Sequence, residues 1–233
     1  MLPRLASLRR TALDLLFPCW CLGCGKEGSL ICPCCRRKLP AINSPTCPRC
    51  GIPQTDGIIC SACSNHHHDI DGIRSPFRFE AVVRQAIHQL KYKNLRAITE
   101  PLAELLSNYL DAHAIPGEVL VPVPLHCRRL RERGYNQSEL LARELGKIVK
   151  LPVIADCITR NKHTSTQARA TSVAERRNNV ANAFTCRNHS LQNKKIILID
   201  DVATSGATLN ACAATLKTAG AVSVWGLTIA REV

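Results

Sequence analysis

Ten of the fourteen cysteines in this 233-residue chain lie between Cys19 and Cys63. Eight of them form Cys-x2-Cys pairs: Cys21 and Cys24, Cys32 and Cys35, Cys47 and Cys50, Cys60 and Cys63. Each such turn presents two sulfurs to one ion, so two successive pairs bring four thiolates to tetrahedral positions around zinc. Gly25 and Gly51, each just after a pair's second cysteine, suit the tight turn of a zinc knuckle. The segment from Pro18 to Cys63 has few large apolar residues and cannot build a core, and metal binding free energy takes that place. Two structural zinc sites with no open coordination position are therefore expected. Cys19 and Cys34 are surplus: Cys19 in place of Cys21, Cys34 in place of Cys35, and interleaved ligation all stay open. An iron–sulfur cluster is the minor alternative, since it is also held by four thiolates.

A second constellation is IILIDDVATSGATL, residues 196–209. A buried apolar strand delivers Asp200 and Asp201 at its carboxyl end, a short loop follows, and a helix begins near Ala207. In open parallel sheets ligands bind at this end of the strands. The backbone N–H groups of the loop and helix start, helped by the helix dipole and the hydroxyls of Thr204, Ser205 and Thr208, suit a phosphate monoester. Gly206 lets the backbone approach closely. Two adjacent carboxylates are costly in a core but accept hydrogen bonds from vicinal hydroxyls, so a ribose 5-phosphate fits. The pattern has no Gly-Lys-Ser/Thr and no G-x-G-x-x-G, which excludes a Walker loop and a dinucleotide fingerprint.

Cationic residues form the third group. In VPVPLHCRRLRERGYNQ, from residue 121, a strand runs into a loop bearing Arg128, Arg129, Arg131 and Arg133 before Gly134. Guanidinium forks beside an accessible backbone match the dense charge of a pyrophosphate. Lys91 and Lys93 are placed at the same mouth. Residues 159–182 hold Arg160, Lys162, Arg169, Arg176 and Arg177 against Glu175 alone, which reads as a polar lid beside a site.

These groups must be positioned by two regions of different texture. The chain is 45% hydrophobic with a formal charge of +13, which excludes disorder and raises polyanion binding without choosing a partner. It has no uninterrupted apolar run long enough to span a bilayer, about 18 residues. The start, MLPRLASLRRTALDLLFPCWC, is a poor export signal, so a reducing, cytoplasmic setting is expected. Residues 4–16 read as a short amphipathic helix docked on the domain, and residues 64–76, with His66, His67 and His68, as a polar connector. Beyond them helices are expected over 80–92, 99–112, 136–149 with Asn136 as N-cap, and 207–220 ending at Gly220. Strands are expected at 119–124, 152–158, 194–200 and 221–230, with Trp225 in the core. Alternating strands and helices imply an α/β, mainly parallel sheet covered on both faces.

The stretch Asp200-Asp201-Val202-Ala203-Thr204-Ser205-Gly206-Ala207-Thr208 resembles the signature of type I phosphoribosyltransferases, which bind 5-phosphoribosyl 1-pyrophosphate (PRPP). With LLFPxxCxxCG, the zinc knuckles, HQLKYKN (88–94), VPVPLHCRRLRERGYNQSELLA (121–142) and Gln167 followed by ERRNNVANAF (175–184), the whole chain resembles the ComF/GntX family of competence and DNA-utilisation proteins. Ser205 stands where Thr is common, and Cys19 and Cys34 exceed the usual ligand count.

The resemblance implies a double zinc ribbon with a preceding helix over residues 1–70 and a phosphoribosyltransferase-like domain over 71–233. It implies that Arg133 and Gly134 belong to a pyrophosphate loop and that Gln167 and Arg176 sit on a flexible catalytic loop. Asp200, Asp201 and Arg133 would be the catalytic set. Thr204, Ser205, Gly206, Ala207, Thr208, Gly134, Lys91, Gln167 and Arg176 would bind the substrate. Magnesium would accompany PRPP, and displacement at the anomeric carbon would pass through an oxocarbenium-like state. Three functions compete: a magnesium-dependent phosphoribosyltransferase whose acceptor the sequence does not reveal, a PRPP-responsive single-stranded DNA-binding protein, and a scaffold whose ribbon docks a partner, for example in a DNA-uptake machinery. A ComF-like protein that binds PRPP and acts in DNA uptake or utilisation combines the first two.

Overall fold

The computed structural model describes residues 19–43, 45–65, 68–161, 183–187 and 191–233. The expected N-terminal helix, His66, His67, Gln167, Arg169, Arg176 and Arg177 lie outside the described residues.

The cysteine-rich segment repeats one unit twice. In the first, the Cys21 N–H donates to Lys26 O at 2.8 Å, the Gly25 N–H to Cys21 O at 2.8 Å, and the Cys32 N–H to Cys21 Sγ at 3.3 Å. In the second, Cys47 N–H donates to Ile52 O at 2.8 Å, Gly51 N–H to Cys47 O at 2.9 Å, and Cys60 N–H to Cys47 Sγ at 3.5 Å. Each unit closes with one helical turn, α1 (Pro33–Arg36) and α2 (Ser61–Ser64). Among the described residues neither unit has a hydrophobic core of its own: the second is a cluster of Cys47, Cys50, Cys60 and Cys63 with Ile52 against it.

The remainder is a parallel sheet of β1 (Gly72–Arg74), β2 (Phe77–Arg78), β3 (Val119–Pro122), β6 (Lys195–Ala203) and β7 (Ser223–Arg231), ordered β1-β7-β6-β3 with β2 also on β7. Helices α3 (Ala81–Tyr92), α4 (Thr99–Ala112), α5 (Cys127–Arg133), α6 (Gln137–Val149) and α7 (Ala207–Thr218) connect or flank it. β4 (Ile158–Arg160) and β5 (Phe184–Cys186) form a separate antiparallel pair. Side chains alternate across each strand, and both faces are covered, which is why the strands read as continuous apolar runs. Leu120, Ile197, Ile199, Leu227 and Ile229 pack toward α3, α4 and α6. Val119, Val121, Ile196, Leu198 and Val224 pack toward α7 and the β4–β5 pair. The first ribbon belongs to the former layer: Cys21, Ile31, Cys35 and Leu39 are buried in one cluster with Val83, Leu102 and Leu106.

Four expectations need correction. The connector at 64–76 contains β1 and leads into β2, because Gly72 admits the Trp225 ring and β7 would otherwise be an open edge. Trp225 is half-buried rather than in the core, with the Arg74 guanidinium 4.9 Å from its ring centroid. The strand expected at 152–158 reduces to a bridge of Val153 with Leu120, and pairing resumes only at Ile158. The arginine-bearing loop is helix α5, whose N-cap His126 accepts the Arg128 N–H at 3.2 Å and whose C-cap is Gly134. The α4 and α6 boundaries match the sequence reading, and Asn136 caps α6 by accepting the Ser138 N–H at 3.1 Å.

Candidate functional site

β3 stops at Pro122, paired with Ile199, whereas β6 continues to Ala203 beside β7. Asp200 and Asp201 therefore stand on a ledge at the carboxyl end of the sheet, where a parallel α/β sheet leaves its crevice. Asp201 continues the Ile197 and Ile199 face toward α3, is buried, and meets Lys91 Nζ through Oδ2 at 2.8 Å. Asp200 is partly exposed. Its Oδ1 accepts the Ser138 hydroxyl at 2.8 Å and the Asp201 N–H at 2.9 Å. Burial, and then the neighbouring Asp201 carboxylate, push the Asp200 carboxyl up to about 7, against the opposing pull of Lys91 and the Ser138 hydroxyl.

Beyond the ledge the chain turns through Thr204, Ser205 and Gly206 into α7. Gly206 has φ of 76°, a left-handed conformation that favours glycine, and a Cβ there would stand 2.8 Å from Ile73 Cδ1, the movable end of that side chain. The N–H groups of Ser205, Gly206 and Thr208 have no acceptor among the described residues. That leaves donors at the amino end of a 12-residue helix, an anion-binding arrangement. Thr204, Ser205, Gly206 and Ala207 line a cavity of about 270 Å³ together with Arg49, Cys50, Cys63 and Arg231, among others.

A second cavity, of about 500 Å³, is lined by Lys91, Tyr92, Asn94, Arg129, Arg133 and Tyr135, among others. Arg133 shares this cavity with Lys91 but turns its guanidinium to Gln137 Oε1 and over the Tyr92 ring, 5.6 Å from the centroid. Gly134 adopts the left-handed conformation that ends α5. Of the sequence-derived site residues, Lys91, Asp200 and Asp201 meet on the ledge and the 204–207 loop adjoins it; Gln167 and Arg176 fall outside the described residues.

The cysteines form two clusters, Cys21, Cys24, Cys32, Cys35 and Cys47, Cys50, Cys60, Cys63, with their ligand atoms all within 4.8 Å of one another. Successive pairs converge, and Cys19 and Cys34 lie outside both clusters. Four converging sulfurs fit a tetrahedral zinc ion. Within each cluster the first cysteine is poised for ligation: burial works against its thiolate, but backbone N–H donors outweigh it and hold Cys21 and Cys47 down at about 6.

Ser138, Tyr92, Arg49 and Arg231 escaped the sequence reading. Ser138 looks like an ordinary residue in the first turn of a helix, and only packing across 62 positions brings it to Asp200.

Profiles of known families match two segments, the "Double zinc ribbon domain" at residues 12–64 and the "Phosphoribosyl transferase domain" at residues 130–230. Competence protein F of Haemophilus influenzae is 32% identical over 209 residues, spanning 84% of this chain and 89% of that protein. Competence protein ComFC of Bacillus subtilis is 31% identical over 219 residues, 89% and 86% of the respective chains. DNA utilization protein YhgH of Escherichia coli K12 is 31% identical over 205 residues, 84% and 89%. The chain belongs to the ComF family, with a double zinc ribbon ahead of a phosphoribosyltransferase-type domain.

Proposed function

We propose that this member of the ComF family binds PRPP with magnesium at the carboxyl end of its sheet and acts in DNA uptake or utilisation. The observation that carries the reading is the Asp200–Asp201 ledge continuous with a loop of free N–H groups at the α7 amino end. In it, the loop from Thr204 to Thr208 holds the 5-phosphate, the two carboxylates orient the ribose hydroxyls, and Lys91 with Arg133 faces the pyrophosphate. Carboxylate oxygens are the donors magnesium takes. Asp201 Oδ2 already meets Lys91, so Asp200 and the ligand's own phosphates remain as ligands. Magnesium would supply charge neutralisation of the pyrophosphate leaving group. If turnover occurs, the leaving group departs from the anomeric carbon while the fixed carboxylates stabilise the cationic ring. The relatives named for competence and DNA utilisation support the biological setting.

Calorimetry of PRPP with magnesium tests the site. Wild type is expected to bind, and Asp200→Asn with Asp201→Asn to weaken binding at least about tenfold; unchanged affinity would sink the placement. Pyrophosphate release across nucleobases, nucleotides and single-stranded DNA then decides whether the site turns over.

A second reading is favoured by Tyr92, which is 65% exposed and flanked by the Arg133 guanidinium in a basic cavity. An exposed aromatic ring among cations suits a single-stranded nucleic acid, with bases stacking and phosphates pairing. Binding of single-stranded DNA should then fall linearly in log salt and drop on Tyr92→Ala. Absent or salt-insensitive binding would end this reading.

A further inference from the structure

Arg231, the last residue of β7, is 2% exposed, and its Nε and Nη1 have no hydrogen-bond partner among the described residues. Cys50 and Cys63 of the second cluster line the same cavity as Arg231. No carboxylate among the described residues pairs with it. A buried guanidinium without an acceptor is costly unless something anionic faces it. Zinc with four thiolates carries a net charge of about −2, and thiolate sulfurs accept N–H donors, so a metal-loaded second cluster is the missing partner.

The same guanidinium borders the phosphate loop. Arg231 pairs in register with Ala203, and the Glu232 N–H donates to Ala203 O at 2.9 Å. The cavity of about 270 Å³ is lined by Cys50, Cys63, Arg49 and Arg231 together with Thr204, Ser205 and Gly206. The Arg49 backbone is held there, its carbonyl accepting the Ile73 N–H at 2.7 Å, while its side chain stays exposed. A phosphate in the loop would therefore share its cavity with a metal cluster of net charge about −2. With Arg231 and Arg49 the wall sums to about zero; without Arg231 it sums to about −1 and repels an anion.

We propose that Arg231 is the counter-cation of the second zinc–thiolate cluster, and that by neutralising it Arg231 allows a phosphomonoester to bind in the loop sharing its wall. The phosphate half rests on the PRPP reading above; the zinc half does not.

The experiment uses the zinc-loaded full chain and two probes: release of zinc to an excess of chelator, and ribose 5-phosphate titrated by calorimetry. In Arg231→Met, one of the two zinc ions should leave about tenfold faster while the other keeps its wild-type rate, and ribose 5-phosphate should bind about tenfold more weakly. Arg231→Lys, which keeps the charge, should restore both toward wild type. Wild-type zinc release in a folded Arg231→Met protein overturns the proposal, as does faster release with undiminished ribose 5-phosphate affinity. If Arg231→Met does not fold, Arg231→Lys decides: near-wild-type values support the charge role, and loss of zinc or ligand despite the retained charge overturns it. Should wild type bind neither ribose 5-phosphate nor PRPP, the reading of the loop fails, and the zinc-release arm judges the counter-cation role alone.

Discussion

Asp200 is the residue at which stability and function pull apart. Its carboxyl, raised from 3.8 to about 7 by burial and by Asp201, keeps a proton in the folded chain that the unfolded chain has already lost. Across that window the unfolded state binds fewer protons, so stability falls as pH rises from about 4 to 7 and the cost is fully present above 7. Asp200→Asn is therefore expected to raise stability at pH 8 by about 1–3 kcal/mol in denaturant unfolding, while PRPP affinity falls. A variant less stable than wild type at pH 8 would contradict this account. Ser138→Ala removes a hydroxyl that favours the charged form, so the pH dependence of PRPP binding should move to higher pH in calorimetric titrations. An unshifted profile would mean that the contact does not tune the site.

Among the elements, unequal strand length creates the ledge. Had β3 run as far as β6, the two aspartates would be covered by a neighbouring strand instead of facing the crevice. The turn into α7 depends on Gly206, whose left-handed backbone disfavours any residue with a Cβ. Gly206→Val is expected to destabilise the fold by about 1–3 kcal/mol in thermal or denaturant melts and to lower PRPP affinity well beyond what that loss explains. Wild-type affinity in that variant would show that the loop's N–H groups do not hold the phosphate. Helix α5 illustrates the limits of reading charge as loop. Arg128 pairs with Glu132 at 3.0 Å across one helical turn, so a run that looks unstructured in sequence is a capped helix with its cations spread around it.

At the scale of the whole molecule, the first ribbon is not a detachable appendage. Ile31, Leu39, Cys21 and Cys35 share a buried cluster with α3 and α4, and Arg36 pairs with Glu104 on α4. Removing residues 1–65 would expose that face, so the truncated chain is expected to lose cooperative unfolding and fixed aromatic packing, read by near-ultraviolet circular dichroism. A truncation that melts cooperatively near the wild-type temperature would show that the α/β domain stands alone. Chelation of both metals should have a milder version of the same effect, because the second ribbon has, among the described residues, only its cysteines and Ile52 to hold it, and metal binding would supply its folding free energy.

Spacing along the chain was enough to reveal the four Cys-x2-Cys pairs, the strand–Asp-Asp–loop–helix run and the alternation of helices with apolar strands. Each is a local pattern whose chemistry acts within a few residues. Tertiary structure alone decided which cysteines converge, because surplus cysteines leave several combinations chemically equivalent until the sulfurs are placed. It alone joined Lys91 to Asp201, Ser138 to Asp200 and Arg231 to the second cysteine cluster. It also recruited a polar connector as edge strand β1, since an unpaired β7 edge outweighs weak local propensity. These are contacts between distant segments, fixed by sheet register and helix docking, and no periodicity in a single stretch of sequence encodes them.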